Sequence, residues 1–303
     1  MDNLNDINKL PYIYDEFYKN YLIDYYEFND YKLVKDLSKF NNIKIIILIF
    51  EKNNEKFLFG FDDGIIFPYV NFDIFNFNAD KYKLKIDNII KNIVNDIRIY
   101  YNGVIKIYNY SYYQYNISYN IFNLLNYKNS SLIDCINILN TDILHGMKYN
   151  IKNIINRYIK KKIFSDENIL IYFGEISNEI FNGFIQKHFE LSERKTKSDR
   201  CWEILKEFIL NKKAFLVKYK NEYVYFFISK EFSYYGINAC SRKSDICTIL
   251  IYEAFLFLKK YGCNFIYMYH YINDNIDIKL NNISFFKKSM SNKLIDNYYC
   301  IFE

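Results

Sequence analysis

The run Lys213-Ala-Phe-Leu-Val-Lys-Tyr219-Lys-Asn-Glu222-Tyr-Val-Tyr-Phe-Phe-Ile228-Ser-Lys-Glu-Phe232-Ser-Tyr-Tyr235-Gly236-Ile-Asn-Ala239 decides how the second half of this chain folds. Residues 214–219 and 223–229 are dense in β-branched and aromatic side chains, which suit a pleated, half-buried surface. Only Lys220-Asn221-Glu222 separates them, so they predict an antiparallel hairpin, and 232–239 adds a third strand at once. Upstream, the apolar spacing predicts a strand at 169–173 and helices at 178–191 and 199–210. Downstream, 245–261 is apolar nearly all round, carries Lys259 and Lys260 in its last turn and meets Gly262 where a left-handed cap belongs. That is a buried helix. A strand at 264–269 and closing strands at 283–286 and 297–302 complete the pattern.

The first half is mixed α and β. Strands are expected at 43–50 and 56–60 around a polar turn at 51–55, and Asp62-Asp63-Gly64 reads as a further turn. Ile86, Ile89, Ile90, Ile93 and Ile97 mark a helix over 84–101, before Asn102-Gly103 and a strand at 104–108. Between the halves, Leu144, Met147, Ile151, Ile154, Ile155 and Tyr158 fall on one face of a helix over 142–162. Its remaining surface carries Lys148, Lys152, Arg157, Lys160, Lys161 and Lys162, which read either as a solvated face or as a phosphate contact.

A length of 303 residues accommodates two ordinary domains. With 51% hydrophobic and 25% charged residues the chain is a folding one, not a disordered or collagen-like one. Its longest apolar run, 45–50, falls far short of the roughly 20 residues that cross a bilayer, so no transmembrane helix is expected. The acidic start, Met1-Asp2-Asn3-Leu4-Asn5-Asp6, is unlike a secretory signal, and a cytoplasmic location is expected. Cysteines at 135, 201, 240, 247, 263 and 300 form no Cys-x-x-Cys pair and read as buried thiols, with neither disulfides nor a metal site. A formal charge of +5 permits an anionic partner without demanding one.

Beyond element order, the run His188-Phe-Glu-Leu-Ser-Glu-Arg194-Lys-Thr196-Lys197-Ser198-Asp-Arg-Cys-Trp202 resembles a pattern of the FemAB group of peptidoglycan-bridge aminoacyltransferases. There a histidine precedes Arg-x-Thr-Arg-Ser-x-x-Thr-Trp, with which Arg194, Thr196, Ser198 and Trp202 stand in register. The similarity continues through Lys213-Ala-Phe-Leu-Val217, Tyr234-Tyr235-Gly236, Tyr252-Glu253-Ala254 and Ile283-Ser-Phe-Phe286-Lys287. The basic stretch 147–162, with Ile155-Asn156 inside it, is similar to a helix preceding that domain, so the resemblance covers about 142–303. Departures are Glu193 for the glycine before the arginine, Lys197 for the second arginine, Cys201 for the threonine before Trp202, and Thr248 for a histidine opening the buried helix. Ser289 and Ser291 stand for two glycines after Phe286-Lys287.

The resemblance implies an α+β fold of two GNAT-like domains, 1–141 and 165–303, each a mixed, mostly antiparallel sheet flanked by helices, joined by the basic helix at 142–164. It implies an N-acyltransferase that moves an acyl or aminoacyl group to an amine of a cell-envelope or sugar precursor. No tightly bound cofactor is expected; the donor would be an aminoacyl-tRNA or an acyl-CoA. Catalytic roles fall to His188, Tyr235 and Lys287. Donor or substrate binding falls to Arg194, Lys195, Thr196, Lys197, Ser198, Trp202, Arg242, Lys243 and Lys288, with a possible tRNA contact through Lys148, Lys152, Arg157 and Lys160.

The residues themselves leave alternatives beside these roles. Arg194, Lys195 and Lys197 gather cations just before a helix start, a place suited to an anion, or form a solvated loop. Trp202 keeps phase with Leu205 and Ile209, as a core residue does. His188 is a base or a structural histidine, Lys287 an oxyanion contact or a surface lysine, and Glu253 a paired carboxylate or a base. The loop Ala239-Cys240-Ser241-Arg242-Lys243-Ser244-Asp245 lacks the glycines that cradle a pyrophosphate, which argues against ordinary acetyl-CoA. Two further function classes stay open: a GNAT-fold binding module without chemistry, and an RNA-binding protein built on the basic helix.

Overall fold

A computed structural model of the chain describes residues 16–40, 43–44, 46–59, 64–67, 79–109, 127–161, 169–228, 232–241, 245–271 and 278–303. It divides into two compact units, Met1–Leu132 with Asp296–Glu303, and Ile133–Ile295. In the first, α1 (Glu16–Phe28) lies on β1 (Lys32–Asp36), and β2 (Lys39–Phe40) and β3 (Ile43–Lys44) form a short hairpin. β4 (Leu48–Lys52) pairs antiparallel with β1 and with β5 (Glu55–Phe59). The expected polar turn is there: Asn53 and Asn54 both take positive φ, 54° and 66°, the geometry a two-residue hairpin loop requires. β6 (Gly64–Phe67) runs parallel to β7 (Ile105–Asn109), and β7 pairs antiparallel with β14 (Lys293–Phe302) over Tyr298–Phe302. The apolar stripe of α2 (Ala79–Arg98), with Ile90, Ile93 and Ile97, closes this core over Ile105, Ile107 and Cys300. Asp62 and Asp63 lie outside the described residues, and Gly64 opens β6 instead of ending a turn.

The second unit is built on the sheet order β8-β13-β12-β11-β10-β9, with β8 spanning Asn129–Ile138 and β9 Ile169–Tyr172. The decisive run forms the predicted meander: β10 (Ala214–Tyr219), β11 (Glu222–Ile228) and β12 (Phe232–Ala239), all antiparallel. Tyr219 faces Glu222 across the turn, and Lys220 takes φ 52° to close it. Side chains alternate along these strands. Phe215, Val217, Val224, Phe226 and Tyr235 pack with Leu250, Ala254 and Phe255 of the buried helix α6 (Ile246–Tyr261). Tyr225 and Phe227 face the other way, onto Phe184 of α4 (Asn178–Ser192) and Phe208 of α5 (Asp199–Leu210). The sheet is therefore covered on both faces.

Two irregularities position the site. Tyr225 pairs with Ile237 but Phe226 with Tyr235, so Gly236 is the extra residue of a bulge. A Cβ at Gly236 would sit 3.0 Å from both the Tyr225 carbonyl oxygen and the Phe227 ring, which is why glycine stands there. Second, β13 (Phe265–Tyr271) runs parallel to β12 only over Phe265–Tyr267 against Phe232–Tyr234; further along, β13 stays paired with β8 alone, out to Tyr271. The two strands part at Tyr235.

Two expectations need correction. The basic helix, α3 (Tyr149–Lys161), begins later than the apolar spacing suggested, because Gly146 takes φ +84° and breaks it. α3 lies within the second unit and packs on α6, where the Tyr158 hydroxyl donates to Glu253 Oε1 at 2.8 Å. Glu253 is thus a paired carboxylate. Residues 283–286, expected as a closing strand, are part of α7 (Ile278–Met290). A four-residue apolar run fits either period, and here it is helix: Ser284 is buried, while Ile283 and Phe285 are exposed.

Asn292 anchors the end of α7: its side-chain nitrogen donates to the Ile138 carbonyl and its oxygen accepts from the Ile138 amide, both at 2.9 Å. A Cβ on Gly146 would fall 2.2 Å from the Asn292 carbonyl oxygen, whereas one on Gly262, also at positive φ, would meet nothing within 4 Å. Gly146→Ala is therefore expected to lower unfolding stability by about 3 kcal/mol or more, and Gly262→Ala by only about 1. Urea melts of the two variants check this, and equal losses would contradict the close approach.

Candidate functional site

α4 starts on Ser177, whose hydroxyl accepts the Ile180 amide at 3.3 Å, and stops at Glu193, which takes φ 57° and gives its amide to the Phe189 carbonyl. This left-handed cap is where the resembled pattern has glycine; here a side chain occupies the same conformation. The chain then runs through Arg194-Lys195-Thr196-Lys197 into α5, capped by Ser198 through a 2.9 Å bond from the Cys201 amide.

A cavity of about 310 Å³ lies between the end of α4 and the start of α5, lined among others by His188, Arg194, Thr196 and Trp202. Trp202 is 6% exposed, with Phe181 and Phe184 edge-on to it, so it is a core residue that also forms a wall. Its ring carries the Lys197 ammonium at 5.3 Å and meets the edge of His188 at 5.3 Å. Burial first, and the Lys197 charge second, hold the His188 imidazole down at about 4. It is neutral. Lys197, 8% exposed, is pushed down by burial to about 8. Lys195 is tied to Asp199 at 2.9 Å, Arg194 is exposed, and the buried Thr196 hydroxyl has no hydrogen-bond partner. Asn182 and Gln186 also line this cavity. Sequence reasoning passed over them, although their i, i+4 spacing on α4 ahead of His188 was a readable signal.

Tyr235 and Lys287 meet elsewhere. The Lys287 ammonium stands 5.9 Å from the Tyr235 ring centre, where β12 leaves β13. Burial pushes Lys287 down to about 8. Burial, then the Cys247 and Cys240 thiols, raises the Tyr235 phenol well above its ordinary value, so it stays protonated. Lys288 lies 4.0 Å over the Tyr271 ring. The two groups of residues occupy opposite sides of the sheet: Tyr235 packs with Phe226 in the α6 core, while His188 and Trp202 sit with Phe184 on the Tyr225 side. Of the basic helix, Arg157 is paired with Asp245 at 2.9 Å and Lys148 stands 3.4 Å over the Phe285 ring, while Lys152 is half-buried and Lys160 exposed. Arg242 and Lys243 lie outside the described residues. Among the described residues no helix is long and apolar enough to cross a membrane.

No family model and no curated protein matches the chain. Solved structures resemble it along nearly its whole length. L-PGS from Bacillus licheniformis superposes with a TM-score of 0.53 at 14% identity, covering 89% of this chain and 83% of that one. The C-terminal domain of a putative lysylphosphatidylglycerol synthetase from Agrobacterium fabrum gives 0.55 at 9% identity, covering 99% and 92%. FemX gives 0.54 at 10%, covering 98% and 96%. The likeness is one of fold, shared with FemX and with the lysylphosphatidylglycerol synthetase domain, in an α+β chain as the sequence implied.

Two outcomes follow for the α4–α5 region. Glu193→Gly relieves a left-handed non-glycine residue at an exposed cap and is expected to raise stability by about 1 kcal/mol in urea melts. For His188, the folded value lies below the ordinary 6.5, so the unfolded chain binds the extra proton between them. The stability linked to this group is complete above about pH 6.5 and declines as the pH falls to about 4. Lys197→Met removes a buried charge; it is expected to stabilise by roughly 1–3 kcal/mol at neutral pH and to move the His188 titration, followed by NMR, upward.

Proposed function

We propose that this chain transfers an acyl or aminoacyl group from an activated donor, an aminoacyl-tRNA or an acyl thioester, to an amine of a cell-envelope or glycan precursor. The observation that carries this reading is the placement of the Lys287 ammonium against Tyr235 at the opening of the β12–β13 ladder, beside the bulge at Gly236. Parted strands leave backbone groups of β12 outside the ladder on one side, and such groups are suited to gripping an extended acyl donor. The fold shared with FemX and with two proteins of the lysylphosphatidylglycerol synthetase type supports the same class of chemistry.

In the proposed step the neutral amine of the acceptor attacks the acyl carbon. A carbon–nitrogen bond forms, the carbonyl oxygen becomes an oxyanion, and the bond from the acyl carbon to the donor oxygen or sulfur then breaks. The proton lost by the amine ends on the departing alcohol or thiol. Lys287, a cation at neutral pH in a site of low polarity, stabilises the oxyanion, where one charge is worth far more than in water. Tyr235 positions that ammonium and stays a protonated hydroxyl throughout. His188 takes no part in the step, since it faces the other side of the sheet.

The test is transfer of a radiolabelled aminoacyl group from a charged tRNA pool, and of a labelled acyl group from acyl-CoA, to amine-bearing envelope and amino-sugar precursors. An amide product survives mild base, whereas the donor ester does not. Lys287→Met is expected to lower kcat by about 10²-fold or more while the chain stays folded. Activity of the unmodified protein falls as the pH rises through about 8, where Lys287 loses its proton. If neither donor class yields a base-stable product, or Lys287→Met is as active as the parent, the transfer reading is wrong and a binding module remains.

A further inference from the structure

The outer face of α3 has no part in the step above, yet it sets protruding apolar side chains among cations, a combination that marks interaction surfaces. We propose that it docks on an anionic lipid surface, with Tyr149 and Phe285 entering the headgroup region and the lysines around them meeting the lipid phosphates and carboxylates.

At about 100° per residue, Tyr149, Lys152, Asn156, Ile159 and Lys160 fall within one arc of about 100°, while Ile151, Ile155 and Tyr158 are buried on the core side. Tyr149 is 79% exposed and Ile159 49%. Beside the start of the helix stands Phe285 of α7, itself 52% exposed. The Lys148 amide donates to the Ser289 carbonyl at 3.1 Å, and the Lys148 ammonium lies 3.4 Å from the Phe285 ring centre, so α3 and α7 contribute to one patch. Its charge is of one sign. No acidic residue occurs between Asp142 and Asp166, and Lys148, Lys152 and Lys160 therefore meet no carboxylate from their own helix. Asp245 and Glu253, which reach α3 from the side of α6, are taken up by Arg157 at 2.9 Å and by the Tyr158 hydroxyl at 2.8 Å. Such a field is complementary to the negative potential of an acidic bilayer, which draws in each nearby lysine.

The order in which these groups stand out favours lipid over the alternatives. A second copy of the chain would bring the same positive charge against this face. A nucleic acid would be attracted too, but it needs cations that reach outward to its phosphates. Here the apolar side chains protrude, whereas Lys148 and Lys152 are half-buried, and Arg157, whose fork suits phosphate best, is held by Asp245. Ile159 offers a base no ring to stack on. At a bilayer the same order is favourable. Apolar tips reach the acyl boundary, and lysine stems lie back along them with their ammonium groups at headgroup level. This surface does not depend on the transfer reading, and the two fail separately.

The full chain is co-sedimented with vesicles of phosphatidylcholine alone and of phosphatidylcholine mixed with phosphatidylserine. Binding to the mixed vesicles is expected to be about tenfold tighter or more, and to weaken as added salt shortens the reach of the charges. Lys152→Gln and Lys160→Gln should each weaken it about fivefold. Tyr149→Ser should weaken it as well while keeping the parent's thermal midpoint, because the side chain it removes is largely exposed. Depth is read by fluorescence. The only tryptophan of the chain, Trp202, is buried, so the parent should be little quenched by phosphatidylcholine brominated on its acyl chains, whereas Tyr149→Trp should be quenched strongly. Unfractionated tRNA is titrated in the same buffer. Equal binding to both kinds of vesicle, or parent-like binding by all three weakening variants, overturns the surface. Tight tRNA binding with no preference for acidic vesicles makes this face a nucleic-acid surface and overturns it too. Vesicle binding without any transfer activity would sink only the transfer reading.

Discussion

The burial of β10 and β11 on both faces is the constraint from which the placement of the candidate residues follows. Nearly every residue of these strands is buried, alternate side chains belonging to the α6 core and to the α4–α5 layer. At about 25 cal/mol per Å² of apolar surface removed from water, this double covering dominates the stability of the second unit. It also leaves no room for a ligand in the middle of the sheet. Packing is interrupted in two places: the parting of β12 from β13, and the junction where α4 stops and α5 starts.

Each of these interruptions holds a lysine that burial drives toward neutrality, Lys287 in one and Lys197 in the other. Burying an ammonium is unfavourable, and both side chains lie against aromatic rings, Tyr235 and Trp202, which offset part of the lost hydration. Buried cations of this kind are rarely kept for stability alone. Their two settings differ in one respect. Lys287 stands where β12 and β13 part, while Lys197 lies over the Trp202 ring and adds to the burial that lowers the His188 pKa.

Much of the fold was legible because the relevant patterns are local. The meander follows from β-branched and aromatic density on either side of a three-residue polar break, and the limits of α6 from Lys259, Lys260 and Gly262. The loop Arg194 to Ser198 was legible as a cation cluster before a helix, and the structure puts it there. What local pattern hid were positions where two periods fit equally well. Ile283-Ser-Phe-Phe286 reads as strand, yet it lies inside a helix that leaves its apolar Ile283 and Phe285 exposed. The start of α3 depended on Gly146, whose left-handed backbone lies so close to Asn292, far away in sequence, that no side chain fits there.

By itself the sequence determined the α+β class and the order of elements in the second unit as far as the strand after the buried helix. Those properties reside in short-range spacing and in turn and cap chemistry, which a neighbouring dozen residues settle. Only the tertiary structure decided that Tyr235 and Lys287 lie together while His188, Arg194 and Trp202 line a cavity elsewhere. The reason is the two-residue period of a strand: adjacent side chains such as Phe226 and Phe227 point to opposite faces, and which helix covers which face is set by packing over the whole unit.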